Sequence, residues 1–214
     1  MNFNPPGNNI FNCGPRSAVG RQVSEAGGRR SAVGGRKAVF LDRDGVINKA
    51  IVKNGKPNPP RSLEELEVLE GVPEALQALK EAGFLLIGVT NQPDVARGMQ
   101  SREIVESINS TLLRALPIDE ILVCYHDDQD ECLCRKPKPG LLQQAAETYA
   151  IDLAASFMIG DRWKDVEAGR QAGCTTVLID YQYAEKVAAI PDCRVNSLAE
   201  AAAWISQKIK GGKN

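Results

Sequence analysis

Two aspartates stand two residues apart at the end of an apolar run, Asp42 and Asp44 in "FLDRDGVIN", with an arginine between them and a glycine two places further on from Arg43. Like charges repel. Either the run is a strand closing in an acidic turn, or something held between the carboxylates needs both. The pattern recurs along the chain: Thr90 and Asn91 end a second apolar run, and Asp161 with Asp165 follows a later one. Taken singly, each is a common turn or cap residue. Their repetition at the same end of separate runs is more than turn chemistry requires.

A second cluster lies in "CYHDDQDECLCRKPKPG". Cys124 and His126 are two apart, as are Cys132 and Cys134, and in extended chain such pairs point the same way. The loop 127–131 can fold one pair onto the other, giving three thiolates and one imidazole around a tetrahedral ion, a Cys₃His zinc site. His126 is the only histidine in the chain. With four protein ligands the site is closed, so the Zn²⁺ is expected to be structural and to pin the loop that presents Arg135 and Lys136. Asp127, Asp128, Asp130 and Glu131 read as the solvated flank of that loop. Trp163 and Trp204 read as helix-packing residues, and Cys13, Cys174 and Cys193 have no partner spacing.

The elements that must position these residues are legible from periodicity. Near-continuous apolar runs at 38–42, 84–90, 120–126, 156–161 and 175–180 predict strands buried on both faces, as in a parallel sheet. Between them "PEALQALKEAG" opens on Pro and ends on Gly, and "SREIVESINSTLLRAL" opens on a Ser101 cap. Further helices are expected at 139–150, 163–172 and 197–209. Alternation of strand and helix means an α/β, Rossmann-like doubly wound sheet whose crevice lies outside the carboxyl ends of the strands, where the polar pairs fall. The Pro-rich stretch 54–62 is read as a loop near the first pair, with Lys53 a candidate contact to a ligand.

The chain has 214 residues, 43% of them hydrophobic, enough for one well-buried core. Residues 1–36 are rich in Asn, Gly, Pro, Ser and Arg, repeat "RSAVGR" as "RSAVGGR", and have too little apolar surface to offset ordering; they are read as a disordered extension before a domain at 37–210. They are Arg-rich, as transit peptides are, but open with turn chemistry and not an amphipathic helix. The net charge is −1, with the basic excess concentrated in that extension, so the folded part is acidic, which argues against a nucleic-acid groove. No apolar stretch approaches a membrane span, and the cysteines read as thiols or metal ligands. The expectation is a cytoplasmic monomer with no membrane or nucleic-acid partner.

Taken in order, "FLDRDGVIN", "VTNQ", "CRKPKPG" and "IGDRWKDVEAG" resemble the four motifs of the haloacid dehalogenase (HAD) superfamily of phosphohydrolases. The match spans residues 38 to about 181, and the short interval before Thr90 leaves no room for an inserted cap domain, so the resemblance implies a capless member. It implies that Asp42 is a nucleophile forming an aspartyl-phosphate and that Asp44 is the general acid, then base. It implies Mg²⁺ held by the Asp42 and Asp161 carboxylates and the Asp44 carbonyl. Thr90 and the Asn91 amide would hold phosphoryl oxygens, and Lys136 would neutralise them. Lys138 is the rival lysine; Lys136 matches the family's Lys-Pro-x-Pro order. Asp165 would orient Lys136 or metal-bound water.

The zinc loop narrows the resemblance to the D,D-heptose 1,7-bisphosphate phosphatases and the related histidinol-phosphate phosphatases. "FLDRDGVIN" and "TNQPDVARG" look closer to the heptose branch, in which the match of Arg135 implies recognition of a second phosphate. Departures from that branch are a shorter zinc loop, Pro93-Asp94 in place of a small-residue pair, and Arg162, another substrate-facing cation, where lysine is frequent. The implied substrate is a small phosphorylated metabolite. The alternatives are histidinol phosphate, a polynucleotide, disfavoured by the acidic core, or a non-catalytic zinc-binding interaction module, disfavoured because every catalytic position holds a competent residue.

Overall fold

The computed structural model describes residues 35–53, 55–183 and 189–211. Residues 1–34 of the extension read at 1–36, with Cys13, lie outside them. Six strands form one parallel sheet in the order β5-β4-β1-β6-β7-β8: β1 Ala38–Leu41, β4 Leu85–Asn91, β5 Glu120–Cys124, β6 Phe157–Gly160, β7 Thr175–Ile179 and β8 Cys193–Val195. From β1 the chain winds outward through β4 to β5, then returns to the other side of β1 for β6, β7 and β8. The winding therefore reverses between β1 and β6, which places a crevice at their carboxyl ends. Strand β1, central and buried at every residue, explains why "AVFL" is apolar without alternation.

Period-two geometry sorts these side chains between two cores. Val39, Leu41, Phe157 and Ile159 face one layer, formed by α1 (Val72–Glu81), α2 (Arg102–Ala115) and α5 (Leu198–Gly211). Ala38, Phe40 and Met158 face the other, with Leu141, Leu142 and Ala145 of α3 (Gly140–Tyr149). Helix α4 (Trp163–Ala172) lies against β6 on this second side, where Gly169 meets Met158 so closely that a Cβ would stand 2.6 Å from the methionine Cβ. Leu76 and Leu79 of α1 are fully buried, each stabilising the sheet–helix contact by about 1.5–3 kcal/mol. The Ser101 hydroxyl accepts from the Ile104 amide at 3.3 Å, the cap that the sequence announces for α2.

Two short elements depart from the sequence reading. The stretch read as a Pro-rich loop contains half of an antiparallel hairpin, β2 (Ile51–Lys53) with β3 (Lys56–Asn58). The Asn54-Gly55 pair is the missed signal, since Gly55 takes φ 71° at the turn. Pro57 is tolerated because a two-stranded ribbon has two free edges. Strand β8 is three residues long with an exposed Arg194 and lacks the apolar run that marks the others. Arg36, assigned by sequence to the extension, donates to Ala150 O at 2.8 Å and accepts from the Asp152 amide at 2.9 Å. Trp204 packs edge-on against Phe157, as expected of a packing residue, whereas Trp163 is not among the residues of the two main cores. No described helix is long and apolar enough to cross a membrane.

Candidate active site

Asp42 follows β1 and Asp161 follows β6, so the reversal of winding brings the two together. With Asp165, in the first turn of α4, they set one carboxylate oxygen each within 4.8 Å of one another, and all three are buried. Gly45 makes this approach possible. It has φ 93°, and a Cβ there would stand 2.1 Å from Asp161 Oδ2, so only glycine fits the turn. Thr90 and Asn91 end β4 on the other side of β1, and both line the same crevice as Asp42 and Asp44.

Lys136 is the hub. Only 2% exposed, its Nζ donates to Asp42 Oδ1 at 2.7 Å and to Val89 O at 2.7 Å, and pairs with Asp165 Oδ1 at 2.6 Å. Burial opposes its charge, but Asp165 and Asp42 outweigh burial and hold the ammonium protonated. The Asn91 side chain fixes its backbone at both ends, donating to Lys136 O at 3.0 Å and accepting from Lys136 N at 3.1 Å. Lys138, the rival by sequence, reaches away: its Nζ donates to Glu131 O and Cys132 O in the zinc loop.

The other side chains fall into three groups. Asp44 is held by Arg43 at 3.0 Å, Asn48 at 3.0 Å and Gln92 at 2.8 Å, and Gln92 also donates to Thr90 Oγ1 at 3.0 Å. Arg43, fully buried, spans from Asp44 to Asn109 Oδ1 at 2.9 Å. These supports were missed by sequence reasoning; the one signal was an arginine between two aspartates, a charge with nowhere else to pair. Arg162 caps α4 and lines the crevice beside Lys164. Lys53 does not line it. The residue is exposed on β2, opposite Lys56 at the turn end of the hairpin, whereas Pro57 and Asn58, further from the turn, line the crevice.

The carboxylates have the character of a cation site. Both Asp161 oxygens are buried without a well-formed hydrogen bond, although Tyr183 approaches them. Burial, then the charge of Asp42, pushes the Asp161 carboxyl well up. Asp42 is raised to about 6 by burial, against the pull of Lys136. A divalent ion would reverse both penalties. Asp165 differs, with Oδ1 on Lys136 and Oδ2 accepting from the Arg162 amide at 3.0 Å. Its oxygens are engaged, which fits an orienting role.

Beyond β5 the four zinc-type ligands do meet. Cys134 Sγ lies 3.2 Å from Cys124 Sγ, 3.4 Å from Cys132 Sγ and 3.3 Å from His126 Nδ1, and Cys124 lies 3.7 Å from both Cys132 Sγ and His126 Nδ1. These edges are too long for disulfides and near the roughly 3.7 Å edge of a tetrahedron with about 2.3 Å metal–sulfur bonds. Contact with Cys134, then with His126, lowers the Cys124 thiol to about 6, which suits a thiolate ligand. Arg135 follows directly. Its Nε donates to Asp128 Oδ1 at 2.7 Å, and it lines a second depression that shares Lys136 with the crevice. Asp127 likewise pairs with Arg97, so the acidic flank is not merely solvated, as its polarity implied.

Comparison with known proteins agrees with this geometry. A HAD-hydrolase-like family model matches residues 133–201. A D-glycero-beta-D-manno-heptose-1,7-bisphosphate 7-phosphatase of Pasteurella multocida is 35% identical over 191 residues, covering 84% of this chain and 100% of that protein. The chain belongs to the HAD-like phosphatases. The Yersinia pestis protein of the same name is 36% identical over 188 residues, 81% of this chain and 97% of the relative. A crystal structure of D,D-heptose 1,7-bisphosphate phosphatase from B. bronchiseptica, complexed with magnesium and phosphate, has a TM-score of 0.70 at 30% identity, covering 80% of this chain and 99% of that one. As a HAD-like phosphatase the chain is a hydrolase of phosphoric monoesters, with the doubly wound sheet expected of that family.

Proposed function

We propose that the chain hydrolyses the 7-phosphate of D-glycero-D-manno-heptose 1,7-bisphosphate through an aspartyl-phosphate on Asp42. What supports the reading is the convergence of Asp42, Asp44 and Lys136 on one crevice, with Arg135 in an adjoining depression that shares Lys136. One phosphate of a bisphosphate can then sit over the nucleophile while the other meets a planar guanidinium.

Mg²⁺ held by the Asp42 and Asp161 carboxylates and the Asp44 carbonyl supplies, when bound, the positive charge that lets an anion approach an anionic phosphoryl group. Lys136 occupies Asp42 Oδ1 and leaves the other oxygen to attack phosphorus. As that bond forms, the bond to the sugar oxygen breaks and Asp44 gives the leaving oxygen a proton. Asp44 then takes a proton from the water that cleaves the acyl phosphate, which restores Asp42 and releases inorganic phosphate. Thr90 Oγ1, the Asn91 amide and Lys136 receive the phosphoryl oxygens, with Arg162 at the crevice rim. Asp165 keeps Lys136 aimed.

Turnover measured on the heptose bisphosphate and on histidinol phosphate tests the substrate. The bisphosphate is expected to be preferred; faster hydrolysis of histidinol phosphate would overturn that choice. Arg135→Ala sharpens it. The variant should lose roughly 1.5–3 kcal/mol in kcat/KM on the bisphosphate, seen as a fall in the ratio of that value to the one for p-nitrophenyl phosphate. An unchanged ratio would show that Arg135 does not read a second phosphate.

Zn²⁺ held by Cys124, His126, Cys132 and Cys134 would have a structural role, fixing Cys134 and with it the backbone of Arg135. Chelation should therefore separate the two metals. EDTA should stop turnover, and added Mg²⁺ should restore it, while one zinc per chain persists through mild dialysis because thiolates hold it more tightly. Metal analysis that finds no zinc in freshly purified protein would remove the structural site.

A further inference from the structure

Arg135, which the bisphosphate reading assigns to the remote phosphate, already has an anion on it. Asp128 Oδ1 accepts from Arg135 Nε at 2.7 Å, and both residues line the same depression. The two partners are unequal. The Arg135 side chain is 11% exposed and also points a second nitrogen at His126 O, 3.4 Å away, whereas the Asp128 side chain is 68% exposed. Such a carboxylate can leave its partner at small cost, because water replaces the lost contact. A second cation waits beside it. Arg97 Nη2 lies 3.9 Å from Asp128 Oδ2 and is anchored by Asp127, so an Asp128 displaced from Arg135 has a partner close at hand. Lys164, on the crevice side, contributes a third positive charge to the same carboxylate.

We propose that Asp128 is an internal competitor for the remote phosphate, a carboxylate that occupies Arg135 in the free protein and moves toward Arg97 when a bisphosphate binds. This rests on the bisphosphate reading and deepens it. An anion that must be displaced subtracts the same cost from every ligand that takes Arg135, so only a ligand whose gain there exceeds that cost draws net affinity from it. A phosphate carrying close to two charges displaces a carboxylate carrying one, while a substrate with a hydroxyl or a carboxylate in place of the second phosphate gains little. Asp128 therefore sets the threshold of charge at which the depression accepts a ligand.

The test is Asp128→Asn, which keeps the shape of the side chain and removes its charge, made in the full chain and in the Arg135→Ala background, with zinc content measured in each. The readout is the ratio of kcat/KM for the heptose bisphosphate to that for p-nitrophenyl phosphate. In the otherwise native protein the ratio should rise about two- to fivefold, the span of an exposed ion pair, through a lower KM at constant kcat. In the Arg135→Ala background the same substitution should leave the ratio where it was. A fall in the ratio would mean that Asp128 positions Arg135 and does not compete for it, and an unchanged ratio would make it a bystander; either overturns the proposal. A rise that persists without Arg135 would be a general field effect and would overturn it as well. Should Arg135→Ala alone leave the ratio at its native value, the bisphosphate reading fails and this proposal with it, whereas an effect of Arg135 without one of Asp128 removes the proposal alone.

Discussion

Asp42→Asn protein should fold, match the native protein in zinc content and lose at least a thousandfold of its turnover, about 4 kcal/mol of barrier. An amide is nearly isosteric with the carboxylate, so the ladder from β1 to β4 and β6 has no reason to change. What disappears is the oxygen to which the proposed mechanism assigns the attack. A neutral amide does not displace an alkoxide from phosphorus, and the remaining groups can only polarise the ester. Burial, and the charges of Asp165 and Asp44, raise the Asp42 carboxyl against the pull of Lys136, so removing its charge is not expected to cost stability. Steady-state rates on p-nitrophenyl phosphate, with thermal unfolding as the control, decide the matter. Activity within tenfold of the native protein would take the nucleophile's role from Asp42.

Lys136→Met should be nearly as damaging and, unlike Asp42→Asn, should also destabilise. The ammonium pairs with two buried carboxylates, Asp42 and Asp165. Its removal leaves them facing each other uncompensated, and breaking a buried pair of this kind costs about 3–5 kcal/mol. Turnover should fall at least a hundredfold, about 2.7 kcal/mol, since a buried point charge aimed at the phosphoryl group is lost. Lys138→Met is the control. Its ammonium serves only carbonyls of the zinc loop among the contacts described, so its turnover should stay within a few-fold. The reverse order of the two effects would exchange the roles of the two lysines.

Five strands of the sheet, β1, β4, β5, β6 and β7, were legible because they read as unbroken apolar runs, whereas β8, short and with an exposed Arg194, was not. The polar pairs at their ends were legible for the complementary reason, that charge after such a run must sit at the rim. The Cys124, His126, Cys132 and Cys134 cluster showed through period-two spacing, and the structure brings all four together. What the sequence hid is of two kinds. Gln92 reaches Asp44 from 48 residues away and Asn109 anchors Arg43 from 66 residues away, and no local pattern announces a contact between distant parts of a chain; Arg43 and Asn48, which also hold Asp44, stand in its own turn. The β2–β3 hairpin was overlooked because its prolines outweighed the Asn-Gly turn signal. Lys53 was then credited with a contact that Pro57 and Asn58 are better placed to make.

Asp42 and Asp161 follow neighbouring strands, yet they lie far apart in the sequence, and Lys136 comes from between them. An aspartate at the end of β1 by itself is an ordinary carboxylate, solvated and unreactive. It acquires its burial, its lysine and its metal partner only when β6 docks beside β1, one of the more distant pairings in the sheet and so one that folding reaches after local contacts have formed. A chain cut short before β6 therefore carries Asp42 without the neighbours that bury and pair it. The arrangement makes the environment of Asp42 a property of the finished sheet, so that the assembled site and the assembled fold are one event.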